Sequence, residues 1–123
     1  MTTNSASRYC WDDIPKERVS DLLHRRLIWG EKAMLAQVTL DKGCLIPKHR
    51  HVHEQFTYVL SGALHFWLGD DEKEETTVRA GDVIHFPSNL PHKAEALEDT
   101  ILLDVFSPPR EDWIQKTDDY LRR

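Results

Sequence analysis

The sequence predicts an all-β fold, a single small β-barrel followed by a short C-terminal helix. Between residues 27 and 106, short apolar runs alternate with turn residues at the spacing typical of a sandwich or barrel. After them, Ser107-Pro108-Pro109 ends the last run and precedes apolar residues at helical spacing. The length of 123 residues is sufficient for one domain with one core, but not for two domains.

The N-terminal region differs in character from the rest of the chain. Residues 1–10 are mostly polar and show no periodicity, so we expect a flexible N-terminus, with residues 11–123 forming the single domain. Residues 12–26 mix charged residues with isolated apolar ones. This mixture predicts an irregular lead-in with about one helical turn.

The predicted strands follow in chain order, and turn residues separate them. Gly30 ends the first run, and Asp41-Lys42-Gly43 ends the second. Ser61-Gly62 is a hairpin signal, and Pro87 ends a later run because proline lacks the N–H that a ladder needs. The strands are expected at residues 27–29, 33–40, 45–51, 55–60, 63–68, 76–78, 83–86, 93–96 and 100–106.

The C-terminal segment is predicted to be a helix. Glu111 and Asp112 lie in the expected first turn, where the helix dipole favours anions. An apolar stripe at helical spacing is expected to pack on the exterior of the barrel. It consists of Trp113, Ile114, Thr117, Tyr120 and Leu121.

Composition excludes several classes of function. The formal net charge of -5 gives no support for a nucleic-acid partner, because phosphate binding needs a basic face. No apolar run approaches the roughly 18 residues of a membrane span, and no signal peptide is visible. Cys10 and Cys44 lack metal or redox spacing and are typical of free thiols in a reducing compartment. We therefore expect a cytoplasmic protein.

Four residues on separate predicted strands suggest a metal site. His49 and His51 alternate with Arg50, so both side chains point to the same side of a strand. Gln55 shares their parity, and His92 begins a strand that can pair alongside. Imidazole nitrogens suit Ni, Zn, Mn, Fe and Cu, and an amide oxygen adds a weak neutral ligand. We expect one divalent ion per chain, with open coordination positions for water or substrate.

Other histidines fall outside this pattern. His53 is expected at the rim of the site, and His85 could line the pocket.

Three residues near the end of the last strand are candidates for chemistry. Asp104 lies in an apolar run, and burying an unpaired carboxylate there costs free energy. A function such as proton transfer would explain its presence. Phe106 shares its parity, and Arg110 follows the prolines. From the residues alone, spacing favours a salt-bridged aspartate, a core ring and an exposed arginine over catalytic roles.

Two stretches carry a resemblance to a known family. Residues 43–92 resemble the two sequence motifs of the cupin superfamily, whose fold is a double-stranded β-helix or jelly roll. Residues 49–62 together with residues 96–113 resemble KdgF-type cupins of pectin and alginate catabolism. The shared pattern is His-x-His-x-His-Glu-Gln, Gly-Asp-Val, Pro-His and Asp-Val-Phe-Ser-Pro-Pro-Arg-Glu-Asp.

The resemblance implies an activity. KdgF-type cupins convert 4,5-unsaturated monouronates into the linear ketonised 4-deoxy-5-keto-uronate. It implies a catalytic role in proton transfer for Asp104, a clamp on the uronate carboxylate for Arg110, and an apolar wall for Phe106. It also implies a homodimer through an N-terminal apolar edge formed by Leu27, Ile28 and Trp29.

Two other functions stay open at this stage. One is a metal-dependent cupin dioxygenase acting on a small molecule, and the other is a non-catalytic cupin that binds a small ligand. Gln55 stands where many cupins have glutamate, which removes a negative charge from the site and argues against the common iron dioxygenases.

Overall fold

The structure, a computed structural model, describes residues 5–122. In these residues the chain forms ten β-strands, one short α-helix and two 3₁₀ turns at Trp11–Asp13 and Asp119–Leu121. The strands are β1 (Glu17–Ser20), β2 (Leu23–Trp29), β3 (Met34–Leu40), β4 (Leu45–His49), β5 (Glu54–Ser61), β6 (Ala63–Leu68), β7 (Glu74–Arg79), β8 (Val83–Phe86), β9 (His92–Ala96) and β10 (Thr100–Ser107). The helix, α1, spans Glu111–Ile114.

The strands form two antiparallel sheets that face each other. The six-stranded sheet has the order β1-β2-β3-β10-β5-β8, and the four-stranded sheet has the order β4-β9-β6-β7. Alternate residues of β3, β5, β9 and β10 are buried between the sheets, as in β10, where Leu102, Asp104 and Phe106 point inward. The predicted all-β barrel is confirmed.

The turn between β5 and β6 depends on Gly62. Its φ of +91° lies in the left-handed region. A Cβ atom there would lie 2.3 Å from the carbonyl oxygen of Asp99, which is closer than real contacts allow. The predicted hairpin at Ser61-Gly62 is wrong, because β5 and β6 belong to different sheets and this turn carries the chain from one sheet to the other.

The lead-in before the barrel is more regular than its composition suggests. Residues 11–13 form the expected single turn, but β1 and the start of β2 fall in the stretch expected to be irregular. Register pairing between Glu17 and Arg25 and between Arg18 and His24 builds this hairpin. Residues 5–10 are exposed and without regular structure, and the part of the predicted flexible N-terminus at residues 1–4 lies outside the described residues.

The C-terminal helix is present but shorter than its apolar stripe. It ends at Ile114, and Lys116 has a φ of +59°, which breaks the helical path. The stripe does not pack on the barrel exterior, so that prediction is wrong. Trp113, Tyr120 and Leu121 instead line the cavity inside the barrel.

A buried ion pair holds the end of this segment against the barrel. Arg25 on β2 donates to both carboxylate oxygens of Asp118 at 2.7 and 3.0 Å, and neither side chain is exposed. The Arg25 guanidinium also lies 4.4 Å above the Trp113 ring. The chain therefore returns to the barrel after α1 instead of continuing as a helix. None of the helices in residues 5–122 is long and apolar enough to cross a membrane.

Candidate metal centre

Three histidines meet at one end of the barrel. His49 ends β4 and His92 begins β9, and the two residues lie opposite each other in the ladder. His51 lies two residues beyond the end of β4, in the irregular segment that leads to β5. One nitrogen from each ring lies within 4.8 Å of the others, which is close enough to share a metal ion. The three histidines that the sequence predicts as metal ligands therefore lie close together in the structure.

Hydrogen bonds to backbone carbonyls fix the orientation of all three rings. The Nδ1 atoms of His49, His51 and His92 lie 2.8, 3.0 and 2.8 Å from the carbonyl oxygens of Pro47, His53 and Leu90. Because a carbonyl oxygen only accepts, each Nδ1 carries the proton. The Nε2 lone pairs are left for a metal, an arrangement common to histidine ligands.

The rings are held in their neutral form. Burial, and then the neighbouring His92, lower the pKa of His49 to about 3. Burial and the Arg110 charge lower the pKa of His51 to about 4, and the pKa of His92 is lowered mainly by burial. Protons therefore compete weakly with a metal ion for these nitrogens at neutral pH.

The amide of Gln55 points its oxygen at the same place. Gln55 Nε2 donates to Thr57 Oγ1 at 2.9 Å and to Asp104 Oδ1 at 3.3 Å, and Gln55 Oε1 lies 3.1 Å from His51 Nε2. That nitrogen and that oxygen are both acceptors, because the proton of His51 is on Nδ1. In this orientation of the amide, two acceptors face each other at hydrogen-bond distance, an arrangement that a shared cation would stabilise. The low pKa of His51 disfavours a doubly protonated ring.

Asp104 lies beneath this group on the inner face of β10. It is opposite Thr57 in the ladder, and Thr57 Oγ1 donates to Asp104 Oδ1 at 2.5 Å. Burial raises the pKa of Asp104 to about 6, although the hydrogen bonds from Thr57 and Gln55 and the charge of Arg110 oppose the shift. The carboxyl group therefore changes its charge near neutral pH.

Arg110 and Phe106 lie at the same end of the cavity. Arg110 is buried, not exposed, and its guanidinium lies 5.0 Å from the Phe106 ring centroid. Its Nε and Nη2 atoms donate to the two carboxylate oxygens of Asp112 at 3.0 and 2.8 Å, and Nη2 also donates to the Tyr120 hydroxyl at 2.8 Å. Within residues 5–122, Nη1 makes no hydrogen bond and is the nitrogen left for a ligand.

The remaining histidines have different positions. The His53 ring lies 5.4 Å from the His51 ring, and its Nδ1 is buried without a hydrogen-bond partner in the described residues. His85 does not line the cavity. Its Nε2 lies 2.7 Å from Glu54 on the outer face of the six-stranded sheet.

Sequence reasoning missed three side chains of this site. Thr57 shares the parity of Gln55 on β5, so strand alternation could have identified it. Asp112 was assigned to the helix dipole, and Tyr120 to an exterior stripe. No signal in the sequence places Tyr120 in the pocket, because only the broken helix brings it there.

Comparison with known proteins identifies the family. A cupin domain model matches residues 36–106, which is more than half of the chain. The chain belongs to the cupin family. The matched residues include the histidine cluster and all four strands of the smaller sheet, but not β1 and β2 of the larger one.

Solved structures refine this assignment. KdgF from Halomonas sp. is 28% identical, with a TM-score of 0.81 over 89% of this chain and 99% of that one. An RmlC-like cupin from Shewanella frigidimarina is also 28% identical, with a TM-score of 0.80 over 89% and 96%. Oxalate decarboxylase from Lactobacillus farciminis, 21% identical with a TM-score of 0.76 over 93% and 39%, shares the fold alone. This chain is therefore a small single-domain cupin of KdgF type.

One curated relative is similar to this chain over part of its length. An uncharacterized protein of Methanocaldococcus jannaschii, MJ1618, is 36% identical over 78 residues, or 63% of this chain. The match spans 60% of that protein's length.

Proposed function

We propose that this cupin is a metal-dependent enzyme that converts 4,5-unsaturated monouronates into the linear 4-deoxy-5-keto-uronate. The observation that carries the proposal is the meeting of a three-histidine cluster, a buried carboxyl group and a buried arginine in one pocket. These residues occupy the positions that the resemblance to KdgF-type cupins assigns to the reaction.

The metal ligands in this proposal are His49, His51, His92 and Gln55. The proposal is supported by the three ring nitrogens that lie within reach of one ion and by the approach of Gln55 Oε1 to His51 Nε2 at 3.1 Å. A divalent ion bound there would supply Lewis-acid polarisation of a substrate oxygen. The ligand set suits Ni, Zn, Mn, Fe or Cu.

Asp104 is the proton-transfer group. Thr57 and Gln55 both donate to Oδ1, so Oδ2 is the oxygen that remains for the substrate. With a pKa of about 6, the carboxyl group can accept the proton of a ring hydroxyl as the pyranose opens and deliver a proton to C4 of the resulting enol. The reaction is an isomerisation, so no other reactant is needed.

Arg110 binds the carboxylate of the substrate. Because Asp112 accepts from the Nε and Nη2 side of the guanidinium and pairs with its charge, Nη1 is the nitrogen that remains for the substrate carboxylate. Phe106 is 1% exposed and packs against His51, His53 and Arg110, which makes it the apolar wall of the pocket.

The assay is the loss of ultraviolet absorbance of the conjugated double bond, corrected for spontaneous ring opening. The wild-type protein should exceed the spontaneous rate, and removal of metal by a chelator should abolish the excess. Asp104→Asn should retain the metal but lower kcat by about 10²–10⁴-fold. Arg110→Ala should mainly raise KM for the carboxylated substrate.

The control is Glu95→Gln on the outer face of the four-stranded sheet, which should retain activity. A wild-type protein no faster than the spontaneous reaction would exclude the enzyme function. A second candidate is a non-catalytic cupin that binds a small ligand. The cavity volume of about 40 Å³ favours it, since that space holds about three water molecules.

A further inference from the structure

Tyr120 is a pocket residue that has no role in the proposed reaction. Its ring stacks on the His49 ring with centroids 4.6 Å apart and an angle of 28° between the planes. Its hydroxyl accepts hydrogen bonds from Arg110 Nη2 at 2.8 Å and from Trp113 Nε1 at 3.4 Å. Tyr120 therefore contacts both the candidate metal centre and the arginine proposed to bind a carboxylate.

The backbone on both sides of Tyr120 is anchored. Asp118 forms the buried ion pair with Arg25, and Leu121 is 7% exposed in the core. Arg122 forms an ion pair with Glu17 at 2.6 Å. The Tyr120 side chain itself is only partly buried. The ring can therefore leave the pocket by rotation about its side-chain bonds while the segment stays in place.

The space beside Tyr120 is too small for a monosaccharide. The cavity volume of about 40 Å³ is far below the roughly 300 Å³ or more that is usual for a pocket holding an organic ligand. Of the lining side chains, Tyr120 combines partial exposure with direct contact to His49 and Arg110. Its departure would open space beside both residues.

We infer that Tyr120 is the gate residue of the pocket. Its hydroxyl accepts from Arg110 Nη2 beside the free Nη1, so a larger carboxylate that bridges both nitrogens must replace it, and its ring covers His49 where a sugar ring would lie. A carboxylated ligand larger than a few atoms binds by displacing the Tyr120 side chain. The choice of a uronate as that ligand rests on the proposed function, but the competition for Arg110 does not.

Size selection follows from this arrangement. A carboxylate of three heavy atoms fits within the existing cavity and reaches Arg110 Nη1 without moving Tyr120. A larger carboxylate must offset the hydrogen bonds and the stacking that Tyr120 loses. Tyr120 thus lowers the affinity for large carboxylates and leaves the affinity for the smallest ones nearly unchanged.

The test uses fluorine NMR on metal-loaded protein that contains 3-fluorotyrosine in place of its three tyrosines. The Tyr120 resonance is the one absent from Tyr120→Phe. The probes are formate and D-galacturonate, a saturated uronate that the proposed reaction cannot consume. Galacturonate should shift the Tyr120 resonance, and formate should leave it in place. Calorimetry gives the affinities of both probes.

The variants separate gating from a structural role. Tyr120→Phe removes the hydrogen bond but keeps the ring, and should tighten galacturonate binding about three- to tenfold. Tyr120→Ala should tighten it at least as much, and both should change formate binding less than twofold. Tyr9→Ala, an exposed tyrosine away from the pocket, should change neither affinity.

Three results would overturn the inference: galacturonate binding without a change at Tyr120, weaker galacturonate binding by Tyr120→Phe, or no galacturonate binding by any variant. The proposed function fails separately. If galacturonate displaces Tyr120 but unsaturated uronates are not converted, the gate remains and the enzyme function is excluded. Turnover with an unmoved Tyr120 removes the gate alone.

Discussion

At the scale of single residues, the contact between Gln55 and His51 adds to the three histidines that are positioned to bind a metal. Both facing atoms are acceptors, and their orientations are fixed by hydrogen bonds on their far sides. Two buried acceptors that face each other without a donor cost free energy. A purely structural role for Gln55 and His51 does not explain why these atoms face each other.

The first prediction concerns metal content. Protein purified without chelator should carry close to one divalent ion per chain, measured by elemental analysis. His51→Ala should remove most of it, because the site has only neutral donors and loses one of four. His85→Ala is the matched control, since His85 lies on the outer face of the sheet, and it should keep the ion. Wild-type protein without stoichiometric metal would contradict the assignment.

The second prediction concerns Asp104 and pH in the metal-free protein. Burial raises the folded-state pKa from 3.8 to about 6, so the folded state binds a proton more tightly than the unfolded state. The resulting stabilisation is complete below about pH 4 and is lost as pH rises through 6. Asp104→Asn should therefore be more stable than wild type at pH 8, by up to about 2–3 kcal/mol.

Urea unfolding of chelator-treated protein at pH 4 and pH 8 measures this difference. The advantage of Asp104→Asn should largely disappear at pH 4, and the Glu95→Gln control should show no such change. An Asp104→Asn variant that is equally destabilised at both pH values would show that burial does not disfavour the charged form of Asp104.

The sequence predicts some residues of the candidate site but not others, and the difference has a physical cause. Strand alternation predicts that His49 and His51 share a face, and that Asp104 and Phe106 do. It cannot predict that Asp112 occupies the bidentate side of Arg110, because that contact depends on the turn after the prolines. Two-residue alternation carries information only inside strands.

At the scale of elements, the C-terminal segment shows where helical spacing misleads. The apolar spacing continues past Ile114, but the helix ends because Lys116 adopts a positive φ and Asp118 is drawn to Arg25. Nothing in the local sequence marks this break. The end of the helix depends on Arg25, which lies 93 positions from Asp118 in the sequence. Local sequence patterns do not report such distant contacts.

The third prediction tests that anchor. Asp118→Asn leaves Arg25 buried with only Glu17 as an ionic partner, so the free energy of unfolding should fall by about 2–4 kcal/mol. Asp119→Asn changes the adjacent exposed carboxylate and should have little effect. Urea denaturation followed by tryptophan fluorescence measures both. Equal stability of Asp118→Asn and wild type would mean that the ion pair does not hold the segment.

At the scale of the whole molecule, the outer face of the six-stranded sheet is unusually apolar. Val105 lies opposite Leu35 on one side and Phe56 on the other, and Leu103 lies opposite Tyr58. The most exposed apolar side chains of this face are Leu35, Phe56, Tyr58, Leu60, Val83 and Ile101. Contiguous apolar patches of this kind are typical of interfaces.

This outer face offers a different surface through which the expected homodimer could form. The expected contact is the edge formed by Leu27, Ile28 and Trp29; β1 pairs only with residues 23–25 of β2 and leaves this edge uncovered, although Leu27 and Ile28 are already partly buried. Trp29 is 48% exposed and remains outside the core. The outer face extends across four neighbouring strands, β3, β10, β5 and β8, and so offers a broader apolar surface than a single edge.

The fourth prediction is that two copies of the chain pair through this face. Sedimentation at micromolar concentration should give a species near twice 14.4 kDa. Tyr58→Glu places a charge in the centre of the face and should give a monomer, because an unpaired charge in an apolar interface is costly. Leu45→Glu makes a comparable change on the four-stranded sheet, where Leu45 is 63% exposed, and should leave the dimer intact. If wild-type protein sediments as a monomer, the face is free in solution. If both variants dissociate the dimer, the contact involves the other sheet.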